Sequence, residues 1–321
     1  MSIFGTTKVL SNIVFFMKLQ IIFTSLFSMF LRRRIIKYMK AYLNNIKKIR
    51  ELIDNADYIL VGAGAGLSAS GGINYLDKAL VEEWFPEYKN LNLNTIVEIQ
   101  SAFWNLSNEN VLAYWGYWAR HIYNIRYKTK ATKPYLDLYE LLKDKEHFII
   151  TTNVDGQFEK AGFKKENIFK PQGDYALFQC SSPCSNKLYD NKEMINTMVK
   201  NIVNEFYIRE EDIPRCPRCG NFLVPNLRID NSFVQESHFK IFNNFNDFIE
   251  KAKGKNFVLL ELGVGYNTPA IIKYPFENIV AKYPSNTTLI RINLGEENIP
   301  LEIKNKAICI NDDIQKVLNL I

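Results

Sequence analysis

From residue 41 the apolar positions fall at helical spacing, through Leu43, Ile46, Ile49, Leu52 and Ile53, and the pattern stops at Asp54-Asn55. A short β-rich run, Tyr58-Ile59-Leu60-Val61, follows at once and leads into Gly62-Ala63-Gly64-Ala65-Gly66-Leu67-Ser68. Runs of the same kind recur at 147–152, 167–170, 257–262, 288–292 and 307–310, most of them separated by helical patterns at 134–144, 239–252, 269–283 and 312–320. Such alternation predicts a mostly parallel sheet wrapped by helices, an α/β fold of Rossmann type. In such a sheet ligands sit at the carboxyl ends of the strands. Two stretches interrupt the alternation: 78–127, helical and rich in aromatic residues, and 174–230, which holds four of the five cysteines.

Charge changes the picture by exclusion. The net charge of +6 suggests a nucleic-acid partner, but residues 1–40 hold Lys8, Lys18, Arg32, Arg33, Arg34, Lys37 and Lys40 and no acidic residue, so the rest of the chain is close to neutral. Residues 41–321 have no basic excess with which to track phosphates, and no nucleic-acid partner is expected. The same leader contains an apolar stretch over 13–31, interrupted by Lys18 and Gln20 and closed by Arg32-Arg33-Arg34, long enough to span a bilayer. Three readings of 1–38 stand: an untranslated or dispensable leader with initiation at Met39, an organelle-targeting segment, or a membrane anchor. The first predicts a cytoplasmic protein.

The cysteines carry the firmest chemistry. Cys180-x3-Cys184 and Cys216-Pro217-Arg218-Cys219-Gly220 form two chelating pairs, which predicts a structural zinc with four thiolates and no open position. Two disulfides or four buried thiols are the alternatives, though nothing else in the chain suggests a secreted disulfide scaffold. The glycine turn at 62–66 permits a close approach of backbone N–H groups to a phosphate, or is only a tight corner. It lacks the third glycine of the dinucleotide fingerprint, because Leu67 stands there. Thr151-Thr152-Asn153-Val154-Asp155-Gly156 ends a strand and either projects Asn153 and Asp155 into a crevice or makes an ordinary polar turn.

Taken together, these motifs resemble the sirtuins. Gly64-Ala65-Gly66-Leu67-Ser68-Ala69, Thr152-Asn153-Val154-Asp155-Gly156, Gln172-Gly173, the paired cysteines and Asn293 occur in that family's order and span nearly all of 41–313. The departures narrow the resemblance. Asn74-Tyr75-Leu76-Asp77 replaces the usual Pro-Asp-Phe-Arg type segment, Gln172 replaces a histidine, and Gly263-Val264-Gly265-Tyr266-Asn267-Thr268-Pro269 replaces a Gly-Thr/Ser-Ser segment. In these respects the chain resembles the class M, macrodomain-linked microbial sirtuins, which act as protein ADP-ribosyltransferases. The resemblance implies NAD as co-substrate, in contact with Gly64, Ala65, Gly66, Ser68 and Tyr75, with Asn153, Asp155 and Gln172, and with Gly263, Val264, Asn267, Asn293 and Leu294. It further implies a protein acceptor, in that subgroup a lipoylated relative of the glycine cleavage H protein.

Elementary chemistry separates two reactions on this scaffold. A deacylating sirtuin uses its histidine to deprotonate a ribose hydroxyl, and the amide of Gln172 cannot accept that proton. Transfer of ADP-ribose to an anionic nucleophile needs no enzymic base. The expected catalytic set is therefore Gln172 orienting ribose hydroxyls, Asn153 positioning the nicotinamide ribose or a water, Asp155 accepting from the nicotinamide amide, and Arg228 orienting an acceptor carboxylate or a phosphate, unless Arg228 is a plain surface cation. A deacylase tolerant of Gln172 and an inactive NAD-binding sensor are the competing readings. His121, His147 and His238 are read as structural, and the aromatic series from Trp84 to Tyr123 as core plus cofactor lid. The expected organisation is a Rossmann-like domain from 39–173 and 231–321, with a helical cofactor-covering segment at about 74–130, a zinc-binding module inserted at 174–230, and the leader 1–38 outside it.

Overall fold

The computed structural model describes residues 32–283, 285–295 and 298–321. The chain divides into two compact units, Met1–Lys48 and Ile49–Ile321. Of the first, the described residues 32–48 are helical. The apolar stretch 13–31, with its anchor and targeting readings, lies outside the described residues, and among those described no helix is long and apolar enough to cross a membrane.

The second unit is built on a six-stranded sheet of β1 (Tyr58–Ala63), β2 (His147–Thr151), β3 (Ile168–Phe169), β7 (Phe257–Leu262), β8 (Thr287–Ile292) and β9 (Ala307–Ile310), ordered β3-β2-β1-β7-β8-β9. Every pairing is parallel. This is the doubly wound order, and the direction of travel reverses between β1 and β7, where the strand ends leave a crevice. Its central strands are buried on both faces, which is why they read as mostly apolar runs, with Glu261 the one charge in β7. Their core joins Leu60, Phe148, Leu259 and Leu289 to Phe276 and Val280 of the helix Lys273–Lys282.

A second, antiparallel sheet, invisible to the sequence reading, carries the cysteine pairs. β4 (Gly173–Cys180) is flanked by β5 (Tyr189–Asp190) and β6 (Leu223–Leu227). Pro225 lies inside β6, which is tolerated because β6 is an edge strand. The two interruptions of the alternation are not separate bodies. Trp84, Phe85, Trp115 and Trp118 of the aromatic helical stretch share one apolar cluster with Tyr175, Phe178, Ile195 and Leu223 of the cysteine-bearing stretch.

Candidate active site

A cavity of about 470 Å³ opens at the carboxyl ends of β1, β2, β7 and β8. The turn after β1 supplies Gly64, Ala65 and Gly66, and the turn after β2 supplies Thr152, Asn153 and Val154. Gly263, Val264, Gly265, Asn267 and Thr268 follow β7, and Asn293 and Leu294 follow β8. The antiparallel sheet closes the other side with Gln172, Tyr175, Leu227, Arg228 and Ile229, and the helix Ile96–Ala102 and the turn beyond it add Gln100 and Trp104. A larger open cleft, about 730 Å³, lies along 183–243 and is lined by none of the turns that follow β1, β2, β7 and β8. We place the candidate site in the smaller cavity because topology converges there.

The glycine turn makes a backbone joint. Gly64 N–H donates to Leu262 O and Gly66 N–H to Gly263 O, both at 3.0 Å. A Cβ on Gly66 would stand 2.7 Å from Gly263 Cα, and one on Gly263, whose φ is +62°, would stand 2.4 Å from Leu67 N. The turns after β1 and β7 therefore interlock backbone to backbone, which only glycine permits. Of the two readings of this turn, the tight corner is seen directly: Gly64 and Gly66 line the cavity, but their own N–H groups are already bonded within the fold.

Three further expected contacts are moved off the cavity wall. Ser68, on the helix Ala65–Ser70, is buried and donates to Asp155 Oδ2 at 2.6 Å, while its oxygen meets Tyr135 Oη at 2.7 Å. Asp155 is buried, takes that bond and accepts Gln157 N–H at 3.0 Å, so its carboxyl braces the wall from behind. Burial raises its pKa above the ordinary carboxyl value. Tyr75 turns inward, its hydroxyl 3.0 Å from His121 Nε2. A strand end specifies where these residues lie along the chain, but not which way each side chain faces.

That buried brace orients Asn153. Its Nδ2 reaches Gly64 O and Tyr135 Oη at 2.9 Å and Ser68 Oγ at 3.2 Å. With the nitrogen committed to the wall, Oδ1 is the end free for the cavity. Tyr135, on the helix Lys133–Leu142, was not singled out from the sequence. A buried tyrosine whose hydroxyl must find a partner is the signal that would have found it.

Gln172 and Arg228 form a cross-strand pair. The register Gly173 opposite Leu227 continues outward by one residue, and Arg228 N–H donates to Gln172 O at 3.1 Å. Directly opposed residues of an antiparallel ladder send their side chains to the same face, and both line the cavity. Gly173 is obligatory: its φ is +101° and a Cβ would stand 2.0 Å from Asn226 O. On the far side of the turn, Lys170 pairs with Glu159 and Asp174, and Arg126 Nε lies 3.1 Å from Asp174 Oδ1. This closed set of two cations and two anions fixes the segment that carries Gln172. Despite its burial, Asp174 titrates down to about 2, held there by Lys170 and Arg126.

Among the described residues, the lining of the cavity includes one charged side chain, Arg228, and no carboxylate or imidazole. His121 sits beneath the wall with no exposed surface, between the hydroxyls of Tyr75, Tyr117 and Tyr175, and burial lowers its pKa to about 3. It is a neutral structural imidazole.

Cys180, Cys184, Cys216 and Cys219 come together with all four sulfurs within 4.8 Å of one another and no disulfide among them. Cys180 and Cys219 sulfurs are 3.5 Å apart and those of Cys184 and Cys216 3.6 Å. A tetrahedral site with metal–sulfur bonds of about 2.3 Å has edges of about 3.8 Å, close to these two separations, so the set suits a tetrahedral metal ion.

Comparison with known proteins agrees with this geometry. The family model described as Sir2 family matches residues 64–254. A protein ADP-ribosyltransferase of Staphylococcus aureus strain Mu50 is 31% identical over 273 residues, 84% of this chain and 84% of that protein. A probable bifunctional ADP-ribose hydrolase/ADP-ribosyltransferase of Fusarium oxysporum f. sp. cubense is 30% identical over 85% of this chain, which spans only 47% of that longer protein. Among solved structures, one concerning the basis of sirtuin substrate affinity superposes with a TM-score of 0.53 at 18% identity, over 85% of this chain and 96% of the other.

Proposed function

The chain belongs to the Sir2 family, and from that premise we propose that it is an NAD-dependent protein mono-ADP-ribosyltransferase. The observation that carries this reading is the cavity wall itself: Asn153, Gln172 and Arg228 converge there, and the described lining holds no group able to take a proton near neutral pH. In the proposed reaction the bond from the ribose anomeric carbon to the nicotinamide nitrogen breaks, its electron pair leaving with nicotinamide. An anionic nucleophile of the acceptor then bonds to that carbon. Because the nucleophile arrives as an anion, no proton has to be removed. In this reading Asn153 Oδ1 and the Gln172 amide hold ribose hydroxyls, and the Arg228 guanidinium draws the acceptor's anion beside them. The four cysteines would hold zinc as a structural ion, pinning the sheet on which Gln172 and Arg228 stand. The acceptor that the resemblance implies, a lipoylated carrier protein, is a candidate substrate for the assay.

Kinetics of Gln172→Ala and Arg228→Ala test these roles. Gln172→Ala lowers kcat by about a hundredfold if the amide holds ribose in the reacting geometry. Arg228→Ala raises KM for the acceptor by about tenfold, the worth of one charge-assisted contact. Wild-type turnover in both variants would remove both residues from the site. Acyl-ADP-ribose as product, with no modified protein, would assign the chain to deacylation.

A further inference from the structure

Three buried charged groups, Glu261, Lys273 and Arg291, and a fourth partly exposed one, Glu277, form a cluster that the reaction does not use. Glu261, in the middle of the parallel sheet, has no exposed surface. It faces Arg291 in the β7–β8 register: Arg291 Nη2 donates to Glu261 Oε2 at 2.8 Å, and Arg291 Nε lies 2.7 Å from Glu261 Oε1 without the geometry of a hydrogen bond. Lys273, the first residue of the helix Lys273–Lys282, reaches Glu261 at 3.0 Å, and Glu277, one turn on, takes Arg291 at 2.9 Å. Lys273 and Arg291 are also fully buried. Two cations and two anions balance, yet burying them is costly, and an apolar set of similar volume would hold a sheet core as well or better.

What the cluster reaches explains it better than stability does. Lys273 Nζ lies 4.8 Å from the centre of the Tyr266 ring, on the turn that supplies Gly263, Gly265 and Asn267 to the cavity. Arg291 donates to Asn298 O, in the segment that follows Asn293 and Leu294. The cluster thus touches the turn after β7 through Tyr266 and, through Arg291, the end of β8 that leads into Asn293, and both border the cavity opposite Gln172 and Arg228. We infer that Glu261, Lys273, Arg291 and Glu277 are positioning residues, which hold the 263–268 turn and the carboxyl end of β8 in the geometry that binds the ADP-ribose portion of the dinucleotide. The inference rests on the cavity being the NAD site, and it adds a set of residues that never touch the ligand.

The test is calorimetric binding of ADP-ribose to the full chain, with thermal unfolding alongside. The fourfold replacement Glu261→Leu, Lys273→Met, Glu277→Leu and Arg291→Met should keep or raise the unfolding midpoint while weakening ADP-ribose by about tenfold or more. If that variant fails to fold, Tyr266 decides. Tyr266→Ala removes the ring over the ammonium and should weaken binding several-fold, whereas Tyr266→Phe, which keeps the ring face, should bind as the wild type does. Unchanged affinity in Tyr266→Ala or in the folded fourfold variant overturns the inference while leaving the dinucleotide site intact. A wild-type protein that binds no ADP-ribose would overturn the site itself, and this inference with it.

Discussion

Mild acid should destabilise this protein through two histidines that fold in their neutral form. His121 has no exposed surface and His238 is 5% exposed, and burial lowers their pKa values to about 3 and about 4. His238 Nε2 donates to Asn226 Oδ1 at 2.6 Å, a bond the neutral ring already makes, while Lys170 nearby opposes a second positive charge. In the unfolded chain both titrate near 6.5. Below that pH the unfolded state binds protons that the folded state refuses, so stability is complete above pH 6.5 and is lost as pH falls toward the folded values. At about pH 5.5 each imidazole costs about 1.4 kcal/mol, and the pair close to 3 kcal/mol, a large share of the 5–15 kcal/mol typical of a domain. Asp155 acts in the opposite sense, since its pKa is raised by burial. Asp174, lowered to about 2, is silent in this range. Urea midpoints at about pH 7.5 and 5.5, with zinc present throughout, measure the loss. With three histidines in the chain, the ring resonances report each site directly. A His121 signal that titrates near 6.5, or a stability flat between the two pH values, would refute the buried neutral assignment and return His121 to the candidates for a base.

Three other outcomes follow from the geometry. Gly173→Ala should destabilise by about 2–5 kcal/mol, combining a strained backbone with a clash; urea unfolding near the wild-type midpoint would show that the strand crossing at Asn226 O is looser than described. Elemental analysis should find one zinc per chain, and chelation should lower the unfolding midpoint together with activity, because Gln172 and Arg228 stand on the sheet the metal pins; metal-free protein with an unchanged midpoint would sink the four-thiolate site. With a carboxylate acceptor, kcat/KM should stay level between about pH 6.5 and 8, whereas a limb with a pKa near 6–7 would reveal a base on the enzyme.

Much of the fold was legible because a doubly wound sheet writes itself as apolar runs. β1, β7, β8 and β9 lie where those runs fall, and the cysteine spacing announced the cluster. The antiparallel sheet was not legible: β4 is buried on both faces for much of its length and β6 contains a proline, so neither shows alternation. The predicted helix at 269–283 begins only at Lys273, after the turn that follows β7. Within the site, residues at strand ends were found, but their directions were not. Asn153, Gln172, Arg228, Val264, Asn267, Asn293 and Leu294 line the cavity, while Ser68, Tyr75 and Asp155 turn into the interior. Gln100 and Tyr175 carry no signal in one sequence, because they reach the cavity only through tertiary packing. Gly64 and Gly66 illustrate a different failure: a glycine marks a close approach without saying to what, and here the partner is Gly263.

The most direct test follows the adenylate-labelled half of NAD. Wild-type protein is incubated with that NAD and with acceptor proteins, among them a lipoylated carrier, and label and nicotinamide are counted together. The base-free cavity built around Asn153, Gln172 and Arg228 predicts label bound covalently to protein, with one nicotinamide released for each ADP-ribose transferred. Label recovered wholly as acyl-ADP-ribose, with the protein unmodified, would contradict it.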